Sequence, residues 1–310
     1  MGPTVLVTGA STGLGLAIAR MLMERDYRVI LTARPSSMHR FAELGIQEGP
    51  RVWLRPLDVT VPEQREAVIA EVEERWGGLD VLVNNAGVSV RSVVEHVTDE
   101  IRREQMSINF RSPMELTRLS LPGMRARRKG RIVNVSSVGG MMAMPTMAVY
   151  SASKFALEGA CEALWYEVRP WNVRVSLVEP GFINSDGFEK VWTTPLAEAA
   201  TADQRSPYHA HYVHMQGFIG RIMRRVPSTP ERVAATVVRV IEHPDPPLRV
   251  PATIDAWMFA WLRRLLPRRI YHLVLYWSLP GVRRWGPRPG MDEGRPALVR
   301  SGDVEQIEPR

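Results

Sequence analysis

The sequence predicts an α/β fold: a doubly wound parallel sheet followed by a C-terminal helical extension. Three observations predict it. Short apolar runs recur along the chain, separated by helical stretches of about 10–15 residues or more, the pattern of βαβ units in a parallel sheet. The runs are rich in Val, Ile and Leu rather than alternating, as expected of strands covered by helices on both faces. A glycine-rich turn, Gly9 to Gly15, joins the first run to the first helix.

Taken in order, 4–8 reads as a short buried strand, and an apolar-periodic helix follows the glycines to about Arg25. Residues 29–33 form a second strand, and 52–57 a third that ends at Asp58. Thr60 and Pro62 open a helix that runs to Trp76, because proline suits a first helical turn. Residues 80–84 make the fourth strand, 98–127 one long helical stretch, and 131–136 the fifth strand. The helix carrying Tyr150 runs to Val168, and 173–178 is the sixth strand. A helix at 230–242 and a short strand at 248–251 complete the sheet. Residues 1–253 thus read as a single domain, with 182–228 an irregular insertion over the site. Residues 254–289 are an aromatic, Arg-rich helical segment, and the polar tail 290–310 is expected to be disordered.

An apolar fraction of 45% and a charged fraction of 24% are those of an ordinary globular protein. The single Cys161 excludes an internal disulfide framework and a Cys-based metal site. Strand-like sequence begins at Thr4, which leaves no room for a signal peptide and favours the cytoplasm. The net charge of +7 is unevenly placed: residues 221–288 hold thirteen arginines against four acids. No recognised nucleic-acid module accompanies that charge, so no nucleic-acid partner is expected. In 254–279, tryptophans and tyrosines alternate with arginines, a pattern that suits a peripheral membrane contact, a helix over the substrate mouth or a subunit contact.

Chemistry concentrates in a few motifs. Gly9, Ser11, Thr12, Gly13, Leu14 and Gly15 follow a strand and open a helix, where a tight turn lets backbone N–H groups approach a pyrophosphate. An NAD site usually places an acid at the end of the second strand; here Ala33 stands there, followed by Arg34. A guanidinium can pair bidentately with a 2′-phosphate, so the expected cofactor is NADP(H). Lys occurs three times in the chain, and one copy, Lys154, lies four residues after Tyr150. That spacing puts both on one helix face, where an ammonium can lower the phenol pKa from about 10.

These motifs, in their order and spacing, resemble the short-chain dehydrogenase/reductase family, in particular its NADP-preferring ketosteroid- and retinoid-reducing branches. The resemblance is carried by Thr8-Gly9-Ala10-Ser11-Thr12-Gly13-Leu14-Gly15, Asn84-Asn85-Ala86-Gly87, Asn109, Ser136-Ser137, Tyr150-x-x-x-Lys154 and Pro180-Gly181, across about residues 4–185. It implies a Rossmann-type fold and a carbonyl reductase or alcohol dehydrogenase acting on a small-molecule substrate. Tyr150 would donate the proton, Ser137 would hold the carbonyl, Lys154 would hold the nicotinamide ribose, and Asn109 would hold a relay water. Asp58 and Val59 would meet the adenine, and Asn85, Ala86 and Gly87 the adenosine side. Pro180, Gly181, Ile183 and Ser185 would pass the nicotinamide; Ser185 stands where Thr is usual. A homodimer or homotetramer is implied as well.

Met141 and Met144, with Met142 and Met147 between and beyond them, follow Ser137 closely. Methionine suits irregular apolar pockets, and together with Phe182, Phe188 and Trp192 it suggests a lipophilic substrate. His209, His211 and His214 do not all fall on one helix face, so no metal is expected.

Overall fold

The computed structural model describes residues 2–184 and 191–286. Ser185, Phe188 and the 290–310 tail lie outside the described residues. The elements run β1 (Thr4–Val7), α1 (Gly13–Met23), β2 (Arg28–Ala33), α2 (His39–Glu43), β3 (Val52–Pro56), α3 (Pro62–Trp76), β4 (Val81–Asn84) and β5 (Val90–Arg91). They continue with α4 (Asp99–Met106), α5 (Ser112–Ala126), β6 (Gly130–Val135), α6 (Ala148–Val168), β7 (Val173–Glu179), β8 (Trp192–Thr193), α7 (Pro195–Ala202) and α8 (His209–Arg225). The last are α9 (Pro230–Glu242), β9 (Arg249–Pro251), α10 (Ile254–Leu265) and α11 (Arg268–Ser278).

Seven strands form one parallel sheet in the order β3-β2-β1-β4-β6-β7-β9. The chain order reverses between β1 and β4, and such a switch point opens a crevice at the carboxyl ends of the strands. One core layer lies between the sheet and α1 and α9, built on Ile18, Leu22, Val233 and Val237. The other lies against α3, α5 and α6, built on Val68, Leu116, Ile132, Leu157 and Leu177. All four residues of β1 and of β4 are buried, as the three consecutive apolar residues in each lead one to expect. Burying such a Val or Leu fully contributes about 1.5–3 kcal/mol, and truncating Ile132 to Ala would cost about 2–5 kcal/mol.

Local signals set several helix ends. Pro62 occupies the first turn of α3, and Gly77 ends it in the left-handed conformation at φ 70°. Thr229 and Thr253 cap α9 and α10 through their hydroxyls.

The expected helical stretch over 98–127 is present from Asp99 to Ala126; residues Ser107–Arg111 form a π turn between α4 and α5, and Asn109 sits within it. One expectation needs correction: within the insertion read as irregular, residues 191–228 are mostly occupied by α7 and α8. Their mixed His, aromatic and Pro composition hid amphipathic helices whose apolar sides, Tyr212, Met215, Ile219 and Met223 on α8, face inward. A second small pairing, β5 with β8, was also not legible, since two residues per strand leave no periodic signal.

Candidate active site

The first turn of the sheet is cross-braced. Thr8 Oγ1 accepts from the backbone N–H groups of Asn85 and Ala86 at 3.0 Å, and Asn85 Nδ2 donates to the carbonyls of Thr8 and Gly9. Gly9 and Gly13 take positive φ, 65° and 52°, which favours glycine. Gly15 is required by space: a Cβ there would stand 2.1 Å from Gly9 O and 2.5 Å from Asn85 Nδ2. Thr12 precedes α1 without capping it through its side chain, and no acid occupies the first turn. The first N–H groups of α1 therefore remain free of any competing anion, in an open turn that fits a phosphate group.

Two cavities meet beside this turn. One, of about 350 Å³, is walled by Leu14, Asn85, Gly87, Lys154, Pro180 and Trp192 among others. The second, of about 250 Å³, is walled by Met142, Met144, Met147, Phe182 and Met223. Ser137, Tyr150, Gly181 and Ile183 belong to both walls. A polar chamber and a methionine-rich chamber thus share a boundary made by a hydroxyl and a phenol.

Ser137 caps a short 3₁₀ turn over Val138–Gly140, and its Oγ accepts from Gly139 N at 3.0 Å. Tyr150 and Lys154 project from successive turns of α6. Burial pushes the Tyr150 phenol above its ordinary 10.0, and a hydrogen bond with Ser137 opposes that rise. The expectation that Lys154 lowers this phenol is not met here. Its ammonium lies 5.9 Å from the Tyr150 ring centroid and donates to Val135 O at 2.9 Å. Burial in turn pushes Lys154 down to about 8, against the attraction of Glu158.

Asn109 is fully buried, and its side-chain amide is wholly engaged. Nδ2 donates to Val88 O at 2.8 Å and to Ser153 Oγ at 3.0 Å, while Oδ1 accepts from Val88 N at 2.9 Å. The side chain is a clamp that ties the segment after β4 to α6, and Gly87 leaves room for it: a Cβ there would come 3.3 Å from Asn109 Oδ1 and 3.8 Å from Lys154 Nζ. A π turn at such a position is common beside functional sites.

A family model described as short chain dehydrogenase matches residues 3–195. The chain belongs to this family. It is 34% identical over 278 residues to the 3-ketodihydrosphingosine reductase of Bacteroides thetaiotaomicron, covering 89% of this chain and 98% of that protein. Its fold matches the crystal structure of a short-chain dehydrogenase from Streptomyces avermitilis with a TM-score of 0.75 and 32% identity, over 89% of this chain and 97% of the other. The closed form of serine dehydrogenase complexed with NADP+ matches with a TM-score of 0.67 and 26% identity, over 80% and 93%.

In this short-chain dehydrogenase the expected site residues separate into groups. Leu14, Asn85, Gly87, Pro180, Gly181 and Ile183 border the polar cavity, and Gly9, Ser11, Thr12, Gly13, Gly15 and Ala86 form or brace the turn beside it. Asp58 and Val59 are not among the walls. Asp58 instead accepts from Thr60 N and Oγ1 at 2.9 and 2.6 Å, closing a local turn after β3. Arg34 is exposed just past β2, with no ion pair among the described residues. Met144 and Phe182 line the apolar chamber and Trp192 the polar one. Met141 lines neither: the tight 3₁₀ turn directs Met142 inward instead, and the Met141 carbonyl accepts from the Arg263 guanidinium. Met223 and Arg91 complete the apolar wall, and sequence reading missed both. The inward-facing repeat of α8 would have revealed Met223; a two-residue strand gave no signal for Arg91. Ser136 Oγ is buried on the polar wall without a hydrogen-bond partner among the described residues. On α8, His214 Nδ1 faces Trp285 Nε1 at 3.2 Å, and His211 packs on the Trp285 ring.

Proposed function

We propose that the protein is an NADP(H)-dependent carbonyl reductase or alcohol dehydrogenase for a lipophilic ketone, aldehyde or secondary alcohol. The observation that carries this reading is the position of Tyr150 and Ser137 on the wall common to both cavities. A carbonyl entering from the methionine side meets the two hydroxyls at the point where a nicotinamide on the other side would lie. Bound there, the cofactor supplies or accepts the hydride. Tyr150 gives its proton to the carbonyl oxygen, Ser137 holds and orients that oxygen, and the developing negative charge is met by preorganised donors. A phenol raised by burial stays protonated at neutral pH, which is the form that reduction needs. Lys154 would hold the ribose hydroxyls, and Asn109 would act by fixing the Gly87–Val88 segment opposite it. The turn from Gly9 to Gly15 would hold the pyrophosphate.

NADP(H) is favoured over NAD(H) by Arg34 after β2, where no acid is available to grip a ribose diol. The structural similarity to an NADP+ complex of serine dehydrogenase supports the same choice. The methionine and Phe182 lining, and the similarity to a 3-ketodihydrosphingosine reductase along nearly its whole length, support a long, apolar ketone as substrate. Assembly as a homodimer or homotetramer through α4, α5 and α6, in the cytoplasm, completes the reading. The test is oxidation of NADPH, with NADH in parallel, against short polar and long-chain ketones. Turnover that rises with chain length and prefers NADPH is expected; preference for NADH or for short polar ketones would overturn this assignment.

A further inference from the structure

The two C-terminal helices expose the faces that a globular protein ordinarily buries. On α10, Ile254, Trp257, Met258, Trp261 and Leu265 recur at helical spacing along one side, and their exposures run from 43% to 74%. On α11, Ile270, Leu273, Val274 and Trp277 repeat the spacing, exposed by 45% to 58%. The sole buried residues of these helices are Ala256 and Tyr271. An amphipathic helix turns its apolar stripe toward whatever covers it, and two successive helices with stripes this exposed mark an interaction surface.

Charge decides between the candidate partners. Residues 254–286 hold six arginines, at 263, 264, 268, 269, 283 and 284, against one acid, Asp255. None of the six forms a salt bridge among the described residues, and Asp255 is occupied in accepting from Phe182 N at 2.9 Å. Arg264 lies over the Trp261 ring and Arg283 over the Trp277 ring, each at 5.8 Å, so cationic and aromatic groups sit at one level. A second copy docked here would bring two unneutralised sets of guanidinium groups together. An anionic lipid surface neutralises them while its acyl boundary covers the stripe. No helix among the described residues is long and apolar enough to cross a membrane.

The surface is also bonded to two walls of the substrate chamber, Gly181 and Phe182, and to Met141 just outside it. Thr253 Oγ1 accepts from Gly181 N at 2.8 Å, Asp255 from Phe182 N, and the Arg263 guanidinium donates to the Met141 carbonyl. We propose that α10 and α11 form a docking surface for an anionic phospholipid bilayer. The helices lie flat in its interface, with Trp257, Trp261 and Trp277 at the headgroup boundary, and bring the apolar chamber to a surface where lipophilic substrates are concentrated. This goes beyond the redox reading and does not depend on it.

The experiment is co-sedimentation of the full chain with vesicles of phosphatidylcholine alone and of phosphatidylcholine mixed with phosphatidylglycerol, alongside the variant Trp257→Ser/Trp261→Ser/Trp277→Ser. Binding to the mixed vesicles is expected, roughly tenfold or more above that to phosphatidylcholine alone, and the variant should lose about tenfold while keeping its thermal transition. Two results overturn the proposal: no partition into mixed vesicles at low salt, or equal binding by the variant, which would mean that charge alone holds the protein. Concentration-dependent self-association that the variant abolishes, without vesicle binding, would assign the face to a second copy and overturn it equally.

Discussion

Gly139 lies edge-on to the Tyr150 ring, so that a Cβ at Gly139 would stand 2.9 Å from Tyr150 Cε1 and 3.4 Å from Ser137 Oγ. The glycine is what lets the 3₁₀ turn pass between the serine and the phenol. Its N–H also holds Ser137 Oγ at 3.0 Å. Gly139→Ala must therefore tilt the ring or push the turn away. A displacement of that size at reacting groups costs roughly 10²-fold in rate, so turnover should fall by about that factor. Cofactor affinity should change far less than turnover, because Gly139 itself borders only the methionine chamber. Steady-state kinetics with a cofactor-binding titration measure the two separately.

Arg34 stands alone at the end of β2, exposed and without a carboxylate partner among the described residues. If it meets the 2′-phosphate, Arg34→Glu should weaken NADPH by about 10–150-fold, the span of a charge-assisted bond of about 1.5–3 kcal/mol. NADH should be affected little. Stability should move by no more than about 0.5 kcal/mol, as for other exposed positions. Kd values for both cofactors, with a thermal melt as control, give the answer.

The strands and the glycine turn are legible because each depends on local chemistry: apolar runs for the buried strands, and Gly9 and Gly15 where a side chain would collide. Tyr150, Lys154 and Ser137 are legible as a constellation because the resemblance preserves their spacing. What stays hidden depends on contacts between distant segments. Met223 reaches the chamber from α8, Arg91 from a two-residue strand, and Met142 rather than Met141 turns inward because of a tight turn after Ser137. The protonation of Tyr150 is similarly non-local. Proximity to Lys154 along the helix suggested a lowered phenol, whereas burial by the surrounding walls wins.

A buried acid pair lies behind Lys154. Glu158 and Glu179 are 5% and 2% exposed, and Arg249 Nε reaches the first at 2.9 Å and the second at 3.9 Å. Burial, then repulsion from Glu158, pushes Glu179 up to about 8 from an ordinary 4.5. The unfolded chain releases this proton near its ordinary value, whereas the folded chain holds it to about 8. Between those values the folded state binds more protons, so this group makes stability fall as pH rises. Glu179→Gln should flatten that decline and raise the melting temperature at the alkaline end of the window. Melting curves across the window, wild type against variant, check the sign.

The role of the Tyr150 phenol is measured with Tyr150→Phe, read in two ways on the same preparation. Removing the hydroxyl should lower NADPH-dependent turnover of a long-chain ketone by roughly 10²–10⁴-fold, the contribution of a positioned general acid. NADPH binding, followed by its fluorescence, should be unchanged, since the ring and Lys154 remain. Turnover retained within a few-fold alongside intact binding would overturn this role, because the proton would then come from a group other than the phenol shared by the two cavities.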